Sequence, residues 1–282
     1  MELGEKAVVD FYDRHPISET HVLAALRRQG KDLRALSPED LYAFDQDHYG
    51  GLEAVAALAR RAGIGPASRV LNVCAGLGGP DRFLAASLGA RMVGLELTQS
   101  RCAGGRRLSQ LVKLGDRVRM TRGDAQVLPF RRGAFTAVIS QEGLLHVPDK
   151  AATLVECFRV LAPGGRIAFT DWIATARLAD GERRRLQEWM AATTLQSIDG
   201  YRQLLARAGF VGVDAEDLSA EWVEILRARL SMYRALRDDT VARLGQARYD
   251  EFNQLYAFFV GLVETGKVGG ARFSARVGPA VF

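Results

Sequence analysis

The sequence predicts an α/β fold with a mostly parallel sheet, on three observations. Residues 69–79 run from an apolar strand (Val70, Leu71, Val73) into a glycine-rich turn (Gly76, Gly78, Gly79), and a helical pattern follows. Further short apolar stretches at 91–96, 118–122, 134–140 and 166–172 alternate with helical ones, the pattern that α/β architecture requires. The 282 residues are 48% hydrophobic and 25% charged, ordinary for a globular chain that buries most of its apolar surface without staples.

Taken in order, residues 1–62 read as helical, without strand alternation. Residues 22–26 form one amphipathic segment. Ser37 is a candidate N-cap, with Pro38 in the first turn. A helix over 52–62 leads to the first strand and ends at 63–66, where glycine and proline break it. The strands and helices of the sheet then run to Trp172. Residues 175–194 are charged and helical, and Ser197 opens another helix that ends near 208–210. Residues 211–217 alternate like a strand. Two helices follow, over about 220–245 and 249–266, joined by 246–248, and 269–277 reads as a final strand. The expected organisation is a helical N-terminal extension (1–62), an α/β core (63–219), a helical insertion (220–268), and a last core strand with its tail (269–282).

The turn after the first strand suits a small cofactor. Glycines let the backbone approach a ligand, and free N–H groups at the helix start face a negative group. A dinucleotide fingerprint needs G-x-G-x-x-G, but the sixth place here is Asp81, a poor neighbour for a pyrophosphate. Glu96 lies 20 residues after Gly76 at a strand end, where an acid accepts ribose hydroxyls. These residues indicate a nucleoside cofactor without a pyrophosphate. A third strand ends in Gly123, Asp124 and Ala125, and residues 161–165 read Leu-Ala-Pro-Gly-Gly.

In order and spacing, the glycine loop, Glu96, the Gly-Asp-Ala turn and the Leu-x-Pro-Gly-Gly turn resemble the class I S-adenosylmethionine-dependent methyltransferases. The resemblance covers about residues 65–175. It implies a Rossmann-like, seven-stranded sheet whose last strand inserts antiparallel beside the fifth. It implies that Ala75, Gly76 and Gly78 hold the methionine part of S-adenosyl-L-methionine and that Glu96 binds ribose. Asp124, with Ala125 beside it, would meet the adenine amino group, and Gln141 would approach the methionine end. Residues 135–172 are similar to sarcosine/dimethylglycine, tocopherol and prenyl-diphosphate methyltransferases. The expected activity is methyl transfer to nitrogen or carbon of a small-molecule acceptor by direct displacement. Two positions depart from the family pattern: Asn72 replaces an acid and Cys74 a glycine. Cys74 then calls for an extended backbone, since side chains are disfavoured at positive φ.

Two stretches carry polar groups suited to an acceptor. Residues 41–51 crowd acids, glycines and aromatics around His48 and Tyr49, and similar small-molecule methyltransferases fold this segment over the cofactor. The alternative is a surface turn pinned to the core by its aromatics. After the fourth strand, Glu142 and His146 are four apart, so a helical turn would set them on one face as an acid–imidazole pair. The alternative is a helix-entry acid beside a satisfied histidine.

The net charge is +5, with arginines spread among acids and no aromatic-interleaved basic stretch, so no nucleic-acid partner is expected. Three cysteines without metal spacing read as buried thiols in a reducing cytoplasm, with no metal. No leader pattern or apolar run of about 20 residues is present, so neither secretion nor a membrane span is expected. A homodimer is compatible with the sequence, which does not fix the oligomeric state. The rival readings are a non-catalytic scaffold that keeps the cofactor site, an RNA or protein methyltransferase, and, more distantly, a dehydrogenase.

Overall fold

The computed structural model describes residues 3–13, 17–46 and 48–278; Asp47 of the 41–51 stretch and the tail after residue 278 lie outside them. The chain opens with α1 (Leu3–Asp13), α2 (Glu19–Arg28), a 3-10 turn (Pro38–Leu41) and α3 (Gly51–Ala62). Then come β1 (Arg69–Val73), α4 (Gly79–Leu88), β2 (Arg91–Glu96), α5 (Gln99–Leu111), β3 (Val118–Arg122) and β4 (Phe135–Gln141). They are followed by α6 (Lys150–Val160), β5 (Leu161–Ala174), α7 (Asp180–Met190), α8 (Ile198–Arg207) and β6 (Val211–Asp217). The last elements are α9 (Ser219–Ala235), α10 (Arg237–Leu244), α11 (Gln246–Glu264) and β7 (Val268–Arg276).

The strands form one seven-stranded sheet in the order β3-β2-β1-β4-β5-β7-β6. β7 pairs antiparallel with β5 and with β6, so the other six strands point one way, as expected. β1 is parallel to β2 on one side and to β4 on the other. The chain therefore winds outward in both directions from β1, and the crevice at the carboxyl ends of β1 and β4 is where such sheets bind ligands.

Helices bury both faces of the sheet, so neighbouring strand residues are apolar together. On one face Val55 and Leu58 of α3 and Leu84 of α4 pack on Val70, Met92 and Ile139. On the other, Leu154 and Cys157 of α6 and Tyr201 of α8 pack on Leu71, Phe169 and Phe273. A third cluster joins Trp172 of β5 to Leu186, Trp222 and Phe259 from α7, α9 and α11. A fourth joins Leu26 and Leu41 to Leu77 and Leu108. Among the described residues, no helix is long and apolar enough to cross a membrane.

The segment after β6 differs from expectation. The helix anticipated over 220–245 is two helices, broken at Leu236. Asp238 and Asp239 occupy the first turn of α10, where carboxylates favour a new helix N-terminus. Residues 246–248, expected as a joint, are the first turn of α11. The turn itself is taken by Gly245 at φ +86°.

Candidate active site

The carboxyl ends of β1, β2 and β4 open onto a cavity of about 510 Å³, roofed by α1, the 42–49 segment, α9 and α11. Ala75, Gly76, Glu96, Asp124, Ala125, Gln141, Glu142, His146, His48 and Tyr49 all line it. Gly78 does not. It is the N-cap of α4 at φ +73°, and a Cβ there would meet Met120 Sδ at 3.1 Å, so its place is in the turn behind the cavity wall.

The glycine turn is tighter than the sequence suggested. Gly76 is left-handed at φ +57°, and so is Cys74 at φ +59°, where an extended backbone was expected. For a residue with a Cβ, the left-handed region costs roughly 1–2 kcal/mol. The room comes from Gly143 after β4, where an added Cβ would stand 2.4 Å from Cys74 Cβ. Ser140 Oγ donates to the Val73 carbonyl at 2.8 Å and ties the two strand ends together. Burial pushes the Cys74 thiol well above its usual range, so it is no ready nucleophile.

Glu96 is buried. It accepts N–H bonds from Gly76 and Thr98, both at 2.9 Å, and so holds the glycine turn against β2. Burial raises its pKa, opposed by those donors and by Arg101. Each oxygen keeps a lone pair for a ligand hydroxyl. Asp124 accepts from the Gln126 backbone N–H and from Gln126 Nε2. Asn72 donates to Asp81 at 2.6 Å, so an acid stands beside the position where the family pattern has one. The Gln141 amide is different: its Oε1 and Nε2 are buried and neither has a partner. An unsatisfied buried amide in a cavity wall calls for a ligand with both donor and acceptor groups. The amino and carboxylate groups of a methionine moiety fit it, and a ribose fits Glu96.

Glu142 and His146 reach the cavity but not as a helical pair. Glu142 is left-handed at φ +43°, and only a 3-10 turn, Leu144–His146, follows. The reason is long-range. Glu142 accepts from Thr170 Oγ1 of β5 at 2.6 Å and from the Tyr49 N–H at 2.9 Å, and these contacts turn it away from a helix. Burial pushes its pKa up to about 7 despite those two donors. His146 lies 2.7 Å from the Tyr12 hydroxyl through Nε2 and 3.0 Å from the Ala191 carbonyl through Nδ1. One neutral tautomer, with the proton on Nδ1, satisfies both contacts.

The His48 ring sits between Gln46 Oε1 (2.8 Å) and the Tyr49 carbonyl (3.3 Å). The Tyr49 ring meets Trp222 edge-on, with Arg229 4.9 Å from its centroid. Arg229 also donates to the His48 carbonyl at 2.6 Å. Sequence reasoning missed Arg229, Tyr12 and Arg101, which also line the cavity. Arg101 lies 4.4 Å over the Tyr12 ring and donates to the Ile17 carbonyl. Arg229 falls in a stretch of α9 rich in charge, where nothing local separates it from a solvated face.

Residues 71–169 match the family described as methyltransferase domain. The likeness to that family lies in the segment from β1 to β5. The glycine/sarcosine/dimethylglycine N-methyltransferase of Actinopolyspora halophila is 30% identical over 185 residues, covering 66% of this chain and 33% of that protein. The sterol 24-C-methyltransferase of Eremothecium gossypii is 33% identical over 166 residues, covering 57% of this chain and 44% of its own length. Among solved structures, phosphoethanolamine N-methyltransferase 2 of Haemonchus contortus, in complex with phosphomonomethylethanolamine and S-adenosylhomocysteine, superposes with a TM-score of 0.77. It covers 97% of this chain and 60% of that one at 21% identity, and that likeness bears on the fold alone. This chain spans between 33% and 40% of the length of the first curated relatives it matches.

Proposed function

We propose that the chain is a cytoplasmic S-adenosylmethionine-dependent methyltransferase that moves a methyl group to nitrogen or carbon of a small-molecule acceptor by direct displacement. The observation that carries the proposal is the partnerless Gln141 amide, set in one cavity with Glu96 and the left-handed glycine turn of a methyltransferase domain. When bound, the cofactor supplies an electrophilic sulfonium methyl. Gln141, Ala75 and Gly76 hold its methionine end, Glu96 its ribose, and Asp124 with Ala125 its adenine. Glu142 faces the acceptor and takes a proton from a nucleophile that arrives protonated, a task suited to a carboxyl pushed up to about 7. His146 orients rather than deprotonates, since the Tyr12 hydroxyl already holds Nε2. Tyr49 and His48 shape the acceptor side. Of residues 1–62, those before α3 act as the lid, while α3 packs on the sheet; 63–219 act as the core and 220–268 as the acceptor cap, with 269–282 supplying the last strand and tail.

Titration calorimetry tests this reading. S-adenosylmethionine and S-adenosylhomocysteine are expected to bind in the micromolar range, with no heat from NAD. Glu96→Ala is expected to weaken binding by about 1–3 kcal/mol, the worth of hydrogen bonds to a charged group. No binding of S-adenosylhomocysteine would sink the proposal. Binding without turnover on any acceptor would favour a scaffold.

A further inference from the structure

The acceptor half of the cavity is walled by rings. Tyr49, Trp172 of β5, Met232 and Tyr233 of α9, and Phe252 and Tyr256 of α11 line it. These walls hold one another. Tyr233 packs on Phe252 at 5.4 Å, Phe252 lies parallel to Tyr256 at 6.2 Å, and Trp172 stacks on Phe259 at 4.0 Å. Met232 lines the cavity yet is 59% exposed, so the apolar wall continues out to solvent. An apolar surface of this kind, open to water in the absence of ligand, gains free energy when an apolar body covers it.

Apart from the Trp172 indole Nε1, a single neutral donor that is buried without a partner, the charged and imidazole groups on this side are engaged within the protein. Arg229 is held by the His48 carbonyl and the Tyr49 ring, His48 by Gln46 and Tyr49, and His146 by Tyr12 and Ala191. A phosphate or a free carboxylate asks for converging cationic donors. The other cavity arginine, Arg101, is on the cofactor side, its Nη1 3.1 Å from where a Gly76 Cβ would stand. Among the described residues, Arg229 is then the one lysine or arginine lining the acceptor half.

We infer that the acceptor is a bulky, mostly apolar molecule with an aromatic, isoprenoid or polycyclic skeleton. It presents its nucleophilic atom to Glu142, and small charged amines are not its class. The inference rests on the methyltransferase reading above and narrows its substrate. The rings that line the cavity with Glu142 exclude water and grip the skeleton, while Glu142 is the polar point toward which the reacting group orients.

A binding ladder tests it. The chain is first titrated with S-adenosylhomocysteine, which reports on the methyltransferase reading by itself. The loaded chain and the cofactor-free chain are then each titrated with n-alkylamines from butyl to decyl, and with dimethylglycine and phosphoethanolamine. Affinity is expected to rise about fourfold per added methylene, the equivalent of about 0.8 kcal/mol per buried CH₂. The longer amines should bind at least tenfold tighter than either polar compound. Met232→Gln, at a solvent-exposed position that leaves the fold intact, should flatten the rise for the longest chains and spare butylamine. Affinity independent of chain length, a polar compound that binds as tightly as octylamine, or an unchanged ladder in Met232→Gln each overturns the inference.

Discussion

At the scale of single residues, Glu142 concentrates the chemistry. Its carboxyl is desolvated, and its two hydrogen-bond donors only partly offset that, so it titrates at about 7. A base works when it is deprotonated. Turnover should therefore rise with pH through about 7 and level off above it. Glu142→Gln removes the titrating group, so that rise should vanish and kcat should fall about 10²–10⁴-fold, with S-adenosylhomocysteine affinity kept. A matching loss of cofactor affinity in calorimetry would place Glu142 with the cofactor instead. The candidate residue was legible in the sequence because it follows an apolar strand at a carboxyl end. Its pairing with His146 was misread, because the four-residue spacing speaks for a helix only if nothing distant competes. Here Thr170 and Tyr49 do compete, at separations of 28 and 93 residues. Cys74 shows the same limit. Its left-handed backbone depends on the space beside Gly143, which no reading of residues 69–79 reveals.

Among the elements, the joint between α4 and the 42–49 segment decides where Tyr49 and His48 stand. Arg82 of α4 is fully buried and donates from Nε (3.1 Å) and Nη2 (2.7 Å) to Asp45 Oδ2, which is itself buried. Its Nη1 reaches the Gly105 carbonyl and Ser109 Oγ. The approach is close: a Cβ on Gly79 would stand 2.1 Å from the Asp45 carbonyl oxygen. Removing one partner of such a pair strands the other charge out of water. Arg82→Met should therefore cost about 3–5 kcal/mol in denaturant unfolding, and Asp45→Leu combined with Arg82→Met should recover much of it. A loss under about 1 kcal/mol for Arg82→Met would mean that Asp45 reaches solvent and the joint does not clamp the segment. The sequence showed α4 clearly but not this pair, because Arg82 sits in an ordinary helix turn and its partner is 37 residues away. The break between α9 and α10 was written locally, in Asp238 and Asp239, and was outweighed by the helical run around it.

At the scale of the whole molecule, the sheet order was the most legible feature. The glycine turn and Glu96 stand at the carboxyl ends of β1 and β2, one edge of a parallel, outward-wound sheet, and the turn at 161–165 opens β5 at the opposite edge. Less legible is how many carboxyls the protein holds away from water. Burial is the largest cause of the raised pKa in all four: Asp81 and Asp171 to about 6, Glu142 to about 7, and Glu96 also upward. An acid with a raised folded pKa keeps a proton that the unfolded chain has lost. Its contribution is fully present below the unfolded value near pH 4 and is lost as pH rises through the folded value. Stability should then decline between about pH 4.5 and 7. Each carboxyl that still holds its extra proton steepens the decline by roughly 1.4 kcal/mol per pH unit. Asp32, Asp40, Glu156 and Glu182 titrate lower than usual, so they act in the opposite sense and only below that window. Lys150, pushed down to about 8 by burial, acts above it, where stability should rise again toward its unfolded value. Urea unfolding of the ligand-free chain should therefore give a higher midpoint at pH 5.5 than at pH 7.5. In Glu142→Gln the decline should be shallower as pH approaches 7, because a group pushed up to about 7 is gone. Equal midpoints at the two pH values would mean that water reaches these carboxyls in solution, and the desolvated base at Glu142 would go with them.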